Sequence, residues 1–413
     1  MAAIAIGAVA RALWVFWLHQ PLDYVYSDME LYVRYATSLA KGQNLDIYST
    51  LQPQGTHFLL ALPLKIFGVG RHGLWAAAVL WWALSAVTPF LAWRLARLLL
   101  TPAAAAVATV LIAIWPLHVT NAGYFLSETP SLAFLLAALW LGYRAGQETG
   151  RSAVWHGLLA GALGATAVAI RPQFLLNLAL VAIPFLPRRR RNRPAMLVLA
   201  STAIALLAAV VAYDSAVADR LTGLSREGGV TFYVGQCHVK TVSARTATTF
   251  WTISPPPYLQ LGGKVSYFPG NEVWQEGFFY RKGLHCIEDE GLRYPFHAAQ
   301  MVADMTATSK PWPQVNERTL RTVTDWTNTI YGYGLLPLIV ILALVRIARR
   351  VPTRPGELAL LSQLLCFVPV AIAYYGDPRF RATYDVFGLM LLAAALTSGG
   401  RTSGCRQLPQ PAA

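Results

Sequence analysis

The sequence predicts an all-α polytopic membrane protein with about ten transmembrane helices, and three observations carry that expectation. Hydrophobic residues make up 55% of the 413 and charged residues only 13%, whereas a soluble domain is about 25% charged. The apolar residues gather into uncharged runs of bilayer-crossing length. The net charge of +14 sits in short arginine clusters between those runs, as in the cytoplasmic loops of membrane proteins. That placement argues against nucleic acid as the partner of the positive charge.

The first span is expected at 3–19. The opening MAAIAIGAVARALWVFWLHQ runs into an aromatic-rich end with no small-residue cleavage site, so it reads as a retained span and not a signal peptide. Further spans are expected at 74–93, 102–120, 129–143, 154–170, 174–187, 195–213, 330–345, 357–374 and 384–398. With the N-terminus inside, one side collects Arg94 and Arg97, Arg144 and Arg151, and the run RRRRNR at 188–193. The same side collects Arg346, Arg349, Arg350 and Arg354, then Arg401 and Arg406 on the tail. Both termini are therefore expected in the cytoplasm of a multi-pass plasma-membrane protein. GTHFLLALPLKIFG at 55–68 is short and carries His57, Pro63 and Lys65; it reads as an interfacial or re-entrant helix, with an extra span as the alternative.

Four segments follow from this topology. An N-terminal membrane module covers 1–213 and includes an outer loop at 20–54. A soluble stretch covers 214–329, further membrane helices cover 330–398, and a cytoplasmic tail covers 399–413. The soluble stretch is expected to be a small mixed domain. TFYVGQCHV alternates like a short strand, SPPPYLQ reads as an extended loop, and EGFFYRKGLHCIED and RYPFHAAQMVADM look helical. Its aromatics, Phe232, Tyr233, Trp251, Tyr258, Trp274, Phe278, Phe279 and Tyr280, fill a small core or stack on sugar faces. Cys237 and Cys286 on the outer side suggest a disulfide, with two free buried thiols as the alternative. Cys366 and Cys405 imply nothing specific. No CxxC or His/Cys cluster suggests a metal site, and no Walker or dinucleotide fingerprint is present, which argues against cytoplasmic ATP-driven chemistry; no cofactor is expected, with a divalent metal as the alternative that the isolated outer carboxylates do not favour.

The candidate chemistry lies on the outer side. In SDMELYVRYATSLAKG, Met29, Tyr32, Val33, Ala36, Leu39 and Ala40 can share one helix face. Ser27 and Glu30 are spaced as a capping box. Asp28 in the first turn either favours the helix N-terminus or accepts a proton from an acceptor hydroxyl or amine. YYGDPRFRATYDVFG at 374–388 places Arg379 and Arg381 between Asp377 and Asp385 at the end of a span. Arginine stays charged and grips phosphate oxygens bidentately. Two residues apart in an extended loop, the pair would point to opposite sides, so one could touch phosphate while the other pairs with Asp377 or Asp385. Arg171 is a second phosphate candidate, with a salt bridge to Glu128 as its structural role. Lys65 is a third, with snorkelling as its bland role. Glu128 either caps the following span or meets substrate, and His57 is either an interfacial histidine or a substrate contact.

These residues occur in a suggestive order. Asp28 opens the first outer loop, Tyr32 follows four residues on, and the helix ends in Lys41-Gly42. Gln52-Pro53-Gln54-Gly55 then precedes an apolar helix ending in Phe67-Gly68. This order resembles the GT-C glycosyltransferases, in particular the protein-mannosyltransferase and ArnT-like group of glycosyltransferase family 39. Pro53-Gln54-Gly55 stands where that group usually has Pro-Pro-Gly. LSETPSLAFLLAALWL at 126–141 resembles the group's outer-loop acidic residue leading into a span, and GDPRFR at 376–381 resembles a late outer-loop arginine motif. The resemblance spans the first ~180 and last ~60 residues and leaves the middle unplaced.

The resemblance implies a donor sugar carried on a polyprenyl phosphate, an acceptor that is a glycan, lipid or protein, and an active site facing the periplasm or exterior. It puts the base on Asp28. Asp28-Met29-Glu30 departs from the adjacent Asp-Glu of some members, which leaves a second-acid role for Glu30 open. Donor-phosphate contacts fall to Arg379, Arg381, Arg171 and Lys65, and substrate contacts to Glu30, Tyr32, His57 and Glu128. The rival reading is a transporter or flippase of a lipid-linked or polar solute. Against it, the charges cluster at one face and no inverted repeat is visible.

Overall fold

The computed structural model describes residues 1–181, 193–237, 275–308, 318–374 and 376–397. Among them all regular structure is helical. In chain order the helices are α1 Ala2–Leu13, α2 Asp28–Ala40, α3 Gln54–Phe67, α4 Arg71–Leu99, α5 Pro102–Ala113 and α6 Pro116–Thr120. They continue as α7 Glu128–Gln147, α8 Gly150–Ile170, α9 Leu175–Ala179, α10 Arg193–Ala218, α11 Gly228–Cys237, α12 Glu276–Glu290 and α13 Tyr294–Ala303. The last six are α14 Arg318–Thr329, α15 Leu336–Ala348, α16 Arg354–Leu365, α17 Phe367–Ala373, α18 Pro378–Ala382 and α19 Asp385–Leu396.

Five described helical stretches are long and apolar enough to cross a membrane: Arg71–Leu99, Gly150–Ile170, Arg193–Ala218, Arg321–Ala348 and Arg354–Ala373. The bent pair Pro102–Ala113 and Pro116–Gly123, broken at 52°, brings this to six. The expected total of about ten spans is not reached among the described residues by length and composition. The expected 102–120 span breaks ahead of Pro116, which has no N–H to continue a helix. Ala2–Leu18 and Asp385–Leu396 are apolar but shorter. α7 is a twenty-residue helix whose polar first turn, Glu128-Thr129-Pro130-Ser131, lowers its hydropathy. Most of α7 is buried among its neighbours, so it need not be uniformly apolar. The expected border at 329/330 falls inside the continuous helix Arg321–Ala348.

Small residues let the helices approach closely, as is usual in membrane bundles. A Cβ at Gly157 would lie 2.4 Å from the Ala195 carbonyl oxygen, and one at Gly161 would lie 2.5 Å from that of Leu199, so α8 and α10 touch backbone to backbone. At one end of the bundle a Cβ at Gly356 would meet the Leu99 carbonyl oxygen at 1.9 Å. That end also holds the Arg346–Glu357 ion pair at 2.7 Å. Arg97 and Arg354 thus share an end, as the arginine pattern requires. The larger buried core links α4, α5, α7 and α8 with α15 to α19. A second one joins Trp14 and Val15, just after α1, and α2 through α4 to residues 122–126.

The expected mixed soluble domain is corrected where it is described. TFYVGQC lies within α11, a helix. A Cβ at Gly229 would lie 2.7 Å from the Glu276 carbonyl oxygen and one at Gly283 would lie 2.6 Å from the Phe232 ring. Two glycines therefore pack α11 against α12, and this helix–helix contact overrides the alternating pattern. Cys237 and Cys286 form a disulfide joining the two helices. The helices expected of EGFFYRKGLHCIED and RYPFHAAQMVADM are present as α12 and α13. SPPPYLQ, Trp251, Tyr258, Trp274, the arginines 188–191 and the tail with Arg401, Cys405 and Arg406 lie outside the described residues.

Candidate active site

Asp28 starts α2 behind a strained junction. Ser27 has φ +53° and ψ −128° and makes no side-chain cap, so the expected capping box with Glu30 does not form; an N-cap side chain needs extended backbone geometry. Positive φ at a non-glycine residue costs about 1–3 kcal/mol and concentrates at functional sites. Here it sits on the wall of a cavity of about 580 Å³.

Across that wall stands α18. Asp377 is its N-cap, accepting from the Arg379 N–H at 2.8 Å, and Pro378 opens the first turn, the position where proline costs least. Two residues in a helix are ~200° apart, so Arg379 and Arg381 diverge. Arg379 faces the cavity and donates from Nη1 to Asp28 Oδ2 at 2.9 Å. It also pairs through Nε with Glu128. Arg381 points into the protein and is fully buried. It pairs with Asp385 at 3.0 Å and with Asn328, and lies 4.8 Å over the Tyr331 ring. The phosphate contact expected of Arg381 is therefore not placed at the cavity, and its partner is one of the two aspartates expected for such an arginine.

Arg171 follows the last turn of α8 and lines the same cavity. It reaches Glu128 at 2.7 Å and Ser127 Oγ at 3.0 Å. Gln173 Oε1 accepts from its Nε and Nη2. Glu128, at the start of α7, is buried between two guanidinium groups. Burial alone raises a carboxyl, but Arg379 and Arg171 outweigh it and hold Glu128 down at about 2. Burial also opposes charge on Arg379, yet the carboxylates of Glu128 and Asp28 hold its affinity for its proton above the ordinary value. Asp377 lacks such compensation: burial dominates over the Arg379 N–H and charge and lifts it to about 6.

The other expected residues separate. Tyr32 is buried and lines the cavity. His57 is fully buried behind it, with Nδ1 2.9 Å from Gln54 Oε1 and its ring among Tyr32 and Tyr35. Glu30 and Lys65 are exposed and do not line the cavity. For Lys65, in the last turn of α3, that exposure fits a snorkelling side chain.

The cavity also holds Ser127, Gln173, Glu227 and Glu276, which the sequence did not single out, and Asp377, expected only as an arginine's partner. Gln173, two residues from Arg171, and Asp377, inside the arginine motif, were legible as neighbours of candidates. Glu227 and Glu276 had no such signal, because they reach the cavity only through the fold of α11 and α12. Among the described residues no three His, Cys, Asp or Glu side chains gather as a metal-ligand group.

Residues 52–213, less than half of the chain, match the dolichyl-phosphate-mannose-protein mannosyltransferase family. No curated protein sequence matches the chain. Among solved structures, the apo oligosaccharyltransferase of Archaeoglobus fulgidus is similar with a TM-score of 0.50 and 16% identity, over 96% of this chain and 50% of that one. The archaeal oligosaccharyltransferase AglB of the same organism, in complex with an inhibitory peptide and a dolichol-phosphate, gives 0.49 and 15% over 96% and 50%. ArnT from Cupriavidus metallidurans bound to undecaprenyl phosphate gives 0.40 and 12% over 95% and 76%. The chain spans about half the length of the oligosaccharyltransferases it matches. The likeness to the apo enzyme is one of fold. In its matched segment and its helical architecture, the chain resembles the GT-C integral-membrane glycosyltransferases.

Proposed function

We propose that the chain is a membrane glycosyltransferase that moves a sugar from a polyprenyl-phosphate donor to an acceptor on the extracytoplasmic side. The observation that carries this reading is the meeting of Asp28 and Arg379 at 2.9 Å on a cavity wall, although 351 positions separate them. Asp28 is the base. It takes the proton of the acceptor hydroxyl or amine as that atom attacks the anomeric carbon. The bond from that carbon to the phosphate oxygen breaks, and its electron pair leaves with the lipid phosphate.

Arg379 is the principal stabiliser of the developing negative charge, with Arg171 beside it. Fixed cations there favour the transition state over the ground state. An arriving phosphate competes with Asp28 for Arg379, which frees the Asp28 carboxylate as donor charge is neutralised. Glu128 holds both arginines in place. The two guanidinium groups supply the positive charge, so the reading takes no cofactor. The comparison proteins bound to dolichol-phosphate and undecaprenyl phosphate suggest the donor's chemistry. The sugar is left general.

Asp28→Asn keeps the side-chain shape and removes the base. Transfer from a polyprenyl-phosphate sugar is expected to fall by about 10²–10⁴, with folding and undecaprenyl phosphate binding retained. Wild-type transfer rates in that variant would sink the reading. Solute uptake by a wild type that shows no transfer would favour a transporter instead.

A further inference from the structure

The cavity is electrostatically lopsided. Both its arginines come from the α8 end and α18. Another part of the lining, built by the residues that open α11 and α12, contributes Glu227, Gly228, Thr231, Glu276 and Tyr280 and no basic side chain, with Arg226 in electrostatic reach of Glu276 from outside the lining. Asp28 is held by a guanidinium. Neither Glu227 nor Glu276 has an ion pair within 4 Å among the described residues. The backbone beneath them is fixed: the Glu227 N–H donates to the Leu51 carbonyl at 3.0 Å, and Ser225 Oγ donates to the same oxygen at 2.6 Å. The wall is also drawn together. A Cβ on Gly228 would lie 2.7 Å from Tyr280 Oη and 3.8 Å from Glu276 Oε1, so the phenol and the Glu276 carboxylate come together at the residue after Glu227. Tyr280 is 38% exposed, and Tyr374 lies beside it on the lining.

Resting on the function proposed above, we infer that this α11–α12 wall is the acceptor subsite and that it takes a carbohydrate. The two arginines serve the leaving phosphate, so the part of the lining that carries carboxylates and no cation is assigned to the acceptor. Carboxylates are acceptor-only groups and make strong charge-assisted bonds to hydroxyls. An aromatic ring offers an apolar face with a polar tip. Two carboxylates and a tyrosine on one patch match the face of a sugar ring, with outward hydroxyls and a C–H surface. A peptide strand would instead ask for a row of backbone partners, and the patch offers side-chain acceptors. A cavity of about 580 Å³ lies in the range that holds a drug-sized ligand, enough for a donor head group and one acceptor ring.

The test uses the full chain in lipid nanodiscs. Binding of undecaprenyl phosphate is measured beside binding of mannobiose, chitobiose and maltose, with a serine-rich octapeptide as control. The expected result is saturable binding of at least one disaccharide and none of the peptide. In Glu227→Gln/Glu276→Gln and in Tyr280→Leu, disaccharide affinity drops at least tenfold while undecaprenyl phosphate affinity stays within twofold. Gly228→Ala, whose methyl pushes on Tyr280 and removes no charge, should weaken the disaccharide alone. Undiminished disaccharide binding in all variants, absence of any disaccharide binding to wild type, or variant-sensitive peptide binding would each overturn the inference. If wild type also fails to bind undecaprenyl phosphate, it is the proposed function that fails, and the two failures are thus distinguishable.

Discussion

At the scale of single residues, two arginines two positions apart do different work. Arg379 carries the charge at the cavity, so Arg379→Lys is expected to cost about 10²–10³ in transfer, since lysine cannot serve Asp28, Glu128 and a phosphate with one planar fork. Arg381→Leu leaves Asp385 buried without its guanidinium, which costs about 3–5 kcal/mol. Its expected readout is a lower unfolding temperature in detergent, with undecaprenyl phosphate binding by the folded fraction retained. Glu227 gives a pH signature. Its side chain faces the cavity, but protein surrounds that cavity, and this setting, with the Asp28 charge added and Arg379 opposing, pushes its carboxyl up to about 7. A raised carboxyl is protonated below that value, so the native state loses stability as pH rises from the unfolded value through about 7. The ionised form is the better hydroxyl acceptor. Acceptor KM should therefore fall as pH rises through about 7 in wild type and stay flat in Glu227→Gln. A wild-type profile without that step would count against Glu227 meeting the acceptor.

At the scale of elements, the site depends on close helix contacts. A Cβ at Gly55 would lie 2.7 Å from the Ile170 nitrogen and the Ala169 carbonyl carbon. Gly55→Ala must therefore push the end of α8 and move Arg171. It is expected to reduce transfer more than a substitution at exposed Lys65, as paired activity assays would reveal. The α11–α12 pair depends on its disulfide, whose partners are 49 positions apart. On the chain-entropy account a loop of that size is worth ~4 kcal/mol. Cys237→Ser/Cys286→Ser should loosen the wall that holds Glu227 and Glu276, raising acceptor KM before donor binding changes. Element type was partly legible: EGFFYRKGLHCIED gave α12, whereas TFYVGQCHV has a two-residue alternation that local pattern alone reads as a strand. Its helical state follows from glycine-mediated packing against α12, which no local window contains.

For the whole molecule, α8 is a 21-residue helix of about 30 Å that carries Arg151 in its first turn and ends at Arg171 on the cavity, so the proposed extracytoplasmic site predicts that the two ends face opposite sides of the membrane. Sidedness is checked by labelling intact cells with a membrane-impermeant thiol reagent in a Cys366→Ser/Cys405→Ser background. Leu292→Cys, at a position 95% exposed after α12, should label, and Arg349→Cys should not. The reverse pattern would put the site in the cytoplasm.

What the sequence determined by itself was composition-borne: apolar runs suited to a membrane, the clustering of arginines in the loops between them, and the acidic and basic residue types that the proposed transfer uses. Those follow because bilayer partitioning and charge placement act on local runs of residues. The tertiary structure decided which of those residues meet. Asp28 and Arg379 reach one cavity, Arg381 turns away by two-residue helical geometry, and Glu227 and Glu276 arrive on a wall that local pattern did not foretell. Contacts across hundreds of positions are set by how helices pack and where chain breaks such as Trp115-Pro116 bend them, and that information exists only when the whole bundle closes.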